Sequence, residues 1–178
     1  MDMNDSRRIA AEPALVWQAL LDSDVLKEAV PGCEELSGSA DEGYEAVVLQ
    51  KVGPVKARFK GNVTLSERVE GESLVLTGEG KGGAAGFAKG VAHVRLEPDG
   101  DATILHYKVE AKVGGKLAQL GSRLIDGFAR KMADEFFNRF QQAIEVPEET
   151  AENEAGANEN QGEGAARKGW FRRMLRRD

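Results

Sequence analysis

The sequence predicts an α+β fold: a curved antiparallel sheet wrapped around one long C-terminal helix, with two short helices after the first strand. Three observations predict it. Apolar residues recur with period two between Glu34 and Val113. Beyond Gly114-Gly115 the period becomes 3.6. Many of the 21 glycines fall between Gly78 and Gly127, at turns and at places without side-chain bulk. A sheet with one apolar face and a helix with one apolar stripe must cover each other.

Taken in order, Ser6 to Ile9 reads as a short first strand. Pro13 suits the first turn of a helix, where its missing N–H costs nothing. Ala14, Leu15, Trp17, Ala19, Leu20 and Leu21 give that helix an apolar face. Asp22 or Ser23 caps a second helix that runs to about Val30 and stops at Pro31-Gly32. About six strands follow, separated by turns at Asp41-Glu42-Gly43, Gly53-Pro54, Glu70-Gly71-Glu72, Gly82-Gly83 and Pro98-Asp99-Gly100-Asp101. Alternation is cleanest from Val55 to Leu65. Val55, Ala57, Phe59, Gly61, Val63 and Leu65 share one face, and Lys56, Arg58, Lys60, Asn62 and Thr64 the other. Leu105, Tyr107, Val109, Ala111 and Val113 repeat the inward pattern. Last comes a stripe at Leu117, Leu120, Leu124, Phe128, Met132, Phe136, Phe140 and Ile144, stopped by Pro147.

The 178 residues divide by composition into three segments: a globular domain at 1–146, a linker at 147–166 and a tail at 167–178. With 41% hydrophobic and 30% charged residues the composition is that of a globular protein. The net charge of −6 hides segregation. The linker holds six acidic side chains and no basic one, and residues 167–177 hold six basic ones and no acidic one. With so little apolar bulk the linker is expected to be disordered. No signal peptide and no spanning helix are expected. The single cysteine, Cys33, excludes a disulfide within one chain and suits a reducing compartment.

Enzymatic signatures are weak. Gly78-Glu-Gly-Lys-Gly-Gly83 matches a dinucleotide-binding spacing, but a strand follows it where the phosphate site needs a helix. His93 and His106 fall on the outer strand face, too few for a zinc site. Cys33 follows the end of a helix, whose dipole raises a thiol pKa, so a packed, inert thiol is expected. No catalytic residue is assigned, and no metal or covalently held cofactor is expected.

Two binding regions stand out. Small residues at Gly78, Gly80, Gly121 and Gly127 leave room where a solid core would want bulk. Phe59, Val63, Leu65, Leu76, Phe87, Val94, Leu105, Tyr107, Leu120, Leu124, Phe128 and Met132 are the candidate lining of an apolar cavity. The other region is the tail. At 100° per residue Trp170, Phe171, Met174 and Leu175 span an arc of about 140°, with Arg172, Arg173, Arg176 and Arg177 opposite. Such a helix lies in an anionic membrane interface. The acidic linker argues against nucleic acid, and docking on an acidic protein is the remaining rival.

Val30-Pro-Gly-Cys33, Lys51-Val-Gly-Pro-Val-Lys-Ala-Arg-Phe-Lys-Gly61, Gly78 to Gly90 and Val113 to Gly127 together resemble the G-subunit family of carbon monoxide dehydrogenase. That family sits within the START and Bet v 1-like (SRPBCC) helix-grip superfamily. The resemblance implies a seven-stranded sheet gripping the C-terminal helix. It also implies an accessory role to a molybdenum-containing CO dehydrogenase or a related molybdenum hydroxylase at the cytoplasmic membrane. The expected protein is therefore not an enzyme. It is cytoplasmic, peripheral to the inner membrane face, and holds a hydrophobic small molecule, a quinone or a lipid. The alternatives are a tether without ligand and an apolar-molecule carrier unrelated to CO oxidation. An enzyme on this fold would need a polar pair inside the cavity, and Tyr107 alone is a poor start. Lys56, Arg58 and Lys60 are a candidate contact with the partner, a solvated strand face being the simpler reading.

Overall fold

Alternating apolar residues and glycine-rich turns shape most of the molecule, and the computed structural model describes residues 1–145. The elements run β1 (Asp2–Ile9), α1 (Pro13–Leu21), α2 (Ser23–Ala29), β2 (Cys33–Ser39), β3 (Gly43–Val52), β4 (Val55–Val69), β5 (Ser73–Lys81), β6 (Phe87–Asp99), β7 (Ala102–Gly114), α3 (Lys116–Gln119) and α4 (Ser122–Ile144). All strand pairs are antiparallel, in the order β1-β7-β6-β5-β4-β3-β2, and β1 and β2 do not pair to close the sheet. This is the expected α+β architecture, seven strands with a C-terminal helix. The linker and the tail lie outside the described residues.

Local chemistry accounts for the helices. Pro13 opens α1, and Asp22 caps α2 by accepting from the backbone N–H groups of Asp24 and Val25. Two elements differ from expectation. β1 begins at Asp2 rather than Ser6, because backbone pairing with β7 extends an edge strand whose polar residues carry no alternation. The long stripe is interrupted: Leu117 belongs to α3, and Gly121, with φ +91°, turns the chain before α4.

The core is asymmetric. Val16, Ala19, Val25 and Ala29 of α1 and α2 pack with Ile9, Leu105, Phe140 and Ile144. α2 makes the most extensive helix–helix contact with α4, at its C-terminal half. Thr103, fully buried, donates to the Ala11 carbonyl at 2.7 Å. Arg7 ties β1 to α4, with Nη2 2.9 Å from Asp134 and its guanidinium over the Phe137 ring at 5.3 Å. At the other end Val52, Ala85 and Leu117 are buried outside that cluster, and this end is called the plug.

Candidate functional site

Strand register decides which side chains meet on the inner face. The paired positions Ala46↔Gly61, Gly61↔Gly80 and Gly80↔Ala88 cross it as one row, and Val63↔Gly78, Gly78↔Gly90 and Gly90↔Ala111 as the next. Four strands therefore present almost no side-chain volume between the packed core and the plug. The glycines differ in cause. A Cβ at Gly90 would stand 2.6 Å from the Glu110 carbonyl oxygen, and one at Gly61 3.1 Å from that of Glu79, so backbone proximity excludes or strains a side chain there. At Gly78 and Gly80 the nearest atoms would be Val63 Cγ2 at 3.4 Å and Phe59 Cβ at 3.9 Å, and neither φ is positive. Packing tolerates a side chain at these two positions, so their bareness leaves space that the sheet does not require.

Phe59 and Val63 flank this strip, and Leu65 and Leu76 pack on the main core cluster; these four, like Phe128 and Met132 of α4, are half-buried. They retain solvent contact, and among the strands α4 lies closest to β1 and β3. Ala46 and Val48 join them from β3, Val48 opposite Phe59. The sequence conceals that alternation because Val47 and Leu49, on the outer face, make the run apolar throughout.

Other candidates lie elsewhere. Val94, Leu105 and Tyr107 are 8%, 1% and 7% exposed and belong to the packed core, with the Tyr107 ring 5.1 Å from that of Phe137. Burial raises the Tyr107 hydroxyl above the ordinary tyrosine pKa, and Asp5 adds to the rise. Phe87 sits on the outer face. It pairs with Gly114 and Lys81, and its ring lies over Gly114, a glycine that gives an aromatic neighbour room. Leu120 is half-buried before the turn at Gly121. Leu124 is 41% exposed. The reason is arithmetic: steps of four residues advance 400°, so the stripe drifts and Leu124 points about 160° away from Phe140. Gly121 and Gly127 face open space and shape no interior volume.

The inward position on α4 falls instead on Ala129 and Asp126, the latter about 40° from Phe140. The Asp126 Oδ1 is buried without a hydrogen-bond partner among the described residues. A buried acceptor of that kind is normally satisfied. Apolar periodicity passes over it because Asp is not apolar.

The remaining sequence candidates sit away from the glycine strip. Glu35, Glu45, Lys60 and Asn62 line one of two clefts on the outer face, and Phe87 and Lys89 line the other. Lys56, Arg58 and Lys60 are exposed on that face, and Arg58 holds Glu34 through two nitrogens. His93 is exposed and His106 bonds Glu97 at 2.9 Å. They lie diagonally, opposite Lys108 and Arg95 respectively. Cys33 opens β2 half-buried, its thiol 3.3 Å from the Glu35 carbonyl oxygen, and burial pushes its pKa up. After Gly78-Glu-Gly-Lys-Gly-Gly83 the chain makes one turn of 3-10 helix and enters β6, with no helix aimed at a phosphate. Among the described residues no cluster of three metal-ligating side chains occurs. No helix of the described residues is long and apolar enough to cross a membrane.

Comparison with known proteins adds a family match and several structural ones. The family model described as the G subunit of carbon monoxide dehydrogenase (CoxG) matches residues 6–145. A crystal structure of a conserved protein from Geobacillus kaustophilus superposes with a TM-score of 0.74 at 26% identity, covering 86% of this chain and 97% of that one. A protein from Chromobacterium violaceum superposes at 0.63 with 17% identity, covering 82% and 98%. One from Thermus thermophilus superposes at 0.58 with 14% identity, covering 80% and 95%. The last two carry the fold alone. No curated protein matches the chain.

Proposed function

The chain belongs to the CoxG family, the G subunit of carbon monoxide dehydrogenase, and from that premise we propose that it is an accessory protein of a molybdenum-containing CO dehydrogenase or a related hydroxylase. In this reading the tail at 167–178 holds the protein to the cytoplasmic membrane face. The groove between α4 and β3–β6 takes up a hydrophobic electron carrier, a quinone. The linker joins that tail to the body, which reaches the oxidoreductase.

The carrying observation is the room at Gly78 and Gly80, which would each admit a side chain and carry none, beside half-buried Phe59 and Val63. A core under selection for stability alone would fill it. Asp126 would receive a hydrogen bond from a hydroxyl of the reduced carrier, which satisfies its bare oxygen. Solvent extraction of the purified full-length protein followed by mass spectrometry tests the reading. Near-stoichiometric quinone or lipid is expected, and a reproducibly empty protein would defeat it.

A second reading keeps the tether and drops the ligand. It is favoured by the solid packing around Tyr107, Leu105 and Val94, where the sequence predicts a deeper cavity. It predicts an empty protein that still recruits the hydroxylase to vesicles.

A further inference from the structure

Strand register sorts charge as sharply as it sorts volume. The half of the body holding the groove and the plug comprises residues 33–36, 46–62, 78–92 and 109–132. It carries eleven Lys and Arg against five Asp and Glu, whereas the rest of residues 1–146 carries seven against eighteen. Arg58 and Lys81 are ion-paired, to Glu34 and Glu79, and the other nine form no ion pair among the described residues. Eight of the eleven are lysines. They stand on every side of this end: Lys56 beside the β3–β4 turn, Lys89 and Lys112 on the outer face, Lys116 on α3 and Arg123 on α4. Of the three exposed large apolar side chains among the described residues, two are there as well, Phe87 at 39% and Leu124 at 41%. The third, Val69, lies at the opposite end.

We propose that this half of the body docks, groove end first, on an anionic lipid surface, independently of the tail. The inference deepens the membrane role proposed above and rests on that reading only for its cellular setting. Three features favour lipid over a protein partner. Charge that encircles one end suits a plane lying across that end, whereas a partner protein meets one patch. Lysine is depleted in protein–protein interfaces and serves well as a diffuse counter-charge to headgroups. Apolar side chains interleaved with basic ones are the composition of an interfacial contact. The acidic opposite half would point away from the bilayer, and a greasy guest would pass into the groove without crossing water.

The test uses the full-length chain with its tail silenced by Trp170→Ser, Phe171→Ser, Arg172→Gln and Arg173→Gln. Sedimentation with phosphatidylglycerol-containing vesicles is expected to show residual, salt-sensitive binding that phosphatidylcholine vesicles lack. Adding Lys56→Gln, Lys89→Gln, Lys116→Gln and Arg123→Gln should lower it by about 100-fold or more, whereas Lys27→Gln with Arg95→Gln should leave it within about twofold. No binding by the tail-silenced chain, or equal loss from both sets, overturns the proposal. A second measurement avoids multiple charge changes. In a Trp170→Phe background, brominated lipid should quench Leu124→Trp and spare Val69→Trp; equal quenching overturns it. If the basic end instead binds the immobilised hydroxylase and no vesicle, it is a protein-docking face and the proposal fails. Should the tail-silenced chain bind as tightly as wild type, the tail assignment falls while this one stands.

Discussion

Phe140 and Phe128 lie three turns apart on one helix, yet Phe140 is fully buried and Phe128 half-buried. The strands beneath them alternate in the same way. Two things differ: at 100° per residue Phe128 points about 120° away from Phe140, and the cover is not the same. At the packed half, α1 and α2 fill the space between sheet and helix, and Arg7 bonds from β1 across to α4. At the groove half no second layer intervenes, and the sheet offers glycine where the packed half offers Leu74, Val94 and Leu105. Apolar alternation thus defines a face in both halves, but it stabilises only where another element seals it. The unsealed half is left able to serve a ligand.

Substitutions sharpen or break this contrast. Phe140→Ala should be the most damaging, at about 3–5 kcal/mol by urea denaturation, because the cavity it leaves cannot collapse against rigid neighbours. Phe128→Ala should cost no more than about 1 kcal/mol and reduce ligand uptake instead. If the two cost the same, the halves are not distinct. Thr103→Val removes the bond to the Ala11 carbonyl and should cost about 1–3 kcal/mol. Tyr44→Phe removes the 2.6 Å bond to the Leu21 carbonyl and should cost about 1 kcal/mol. Burial raises the Tyr44 pKa above that of an unfolded tyrosine, with Asp22 adding to the rise. The unfolded chain therefore ionises first. Stability should be level below about pH 10 and fall as pH rises beyond it, and this alkaline loss should be smaller in Tyr44→Phe. Gly78→Val should move the urea midpoint least, by less than about 1 kcal/mol, while abolishing uptake of a quinone analogue measured by fluorescence. Undiminished uptake would mean that the bare strip holds nothing.

Much of the fold was legible. Asp22, Pro13 and the five turns each act through local chemistry, so they were readable in place. The inner faces of β4 and β7 were readable because Lys, Arg and Glu alternate with apolar residues there. The candidate groove was only partly legible. Phe59 and Val63 flank the strip, but Leu65 and Leu76 pack on the core cluster and Val94, Leu105 and Tyr107 sit inside it, because α1 and α2 seal that end. Phe87 lies on the outer face because the tight connection after Lys81 sets its register, and register decides the face. Leu124 leaves the inner face because a four-residue repeat drifts on a helix of 3.6. Asp126 left no mark, and of the basic ring only the Lys56, Arg58 and Lys60 stripe did, since the other residues are unexceptional until strands far apart in sequence align them.

By itself the sequence determined which residues turn inward on each strand, where the chain turns, and that one helix closes the molecule. Those are consequences of backbone period and of local hydrogen bonding, which reach only a few residues along the chain. Tertiary structure decided how deeply each inward residue is covered, that four bare positions form a strip, and that the positive charges crowd around one end. Coverage and charge grouping depend on which distant segments pack side by side, and that follows from register and helix placement rather than from any local pattern.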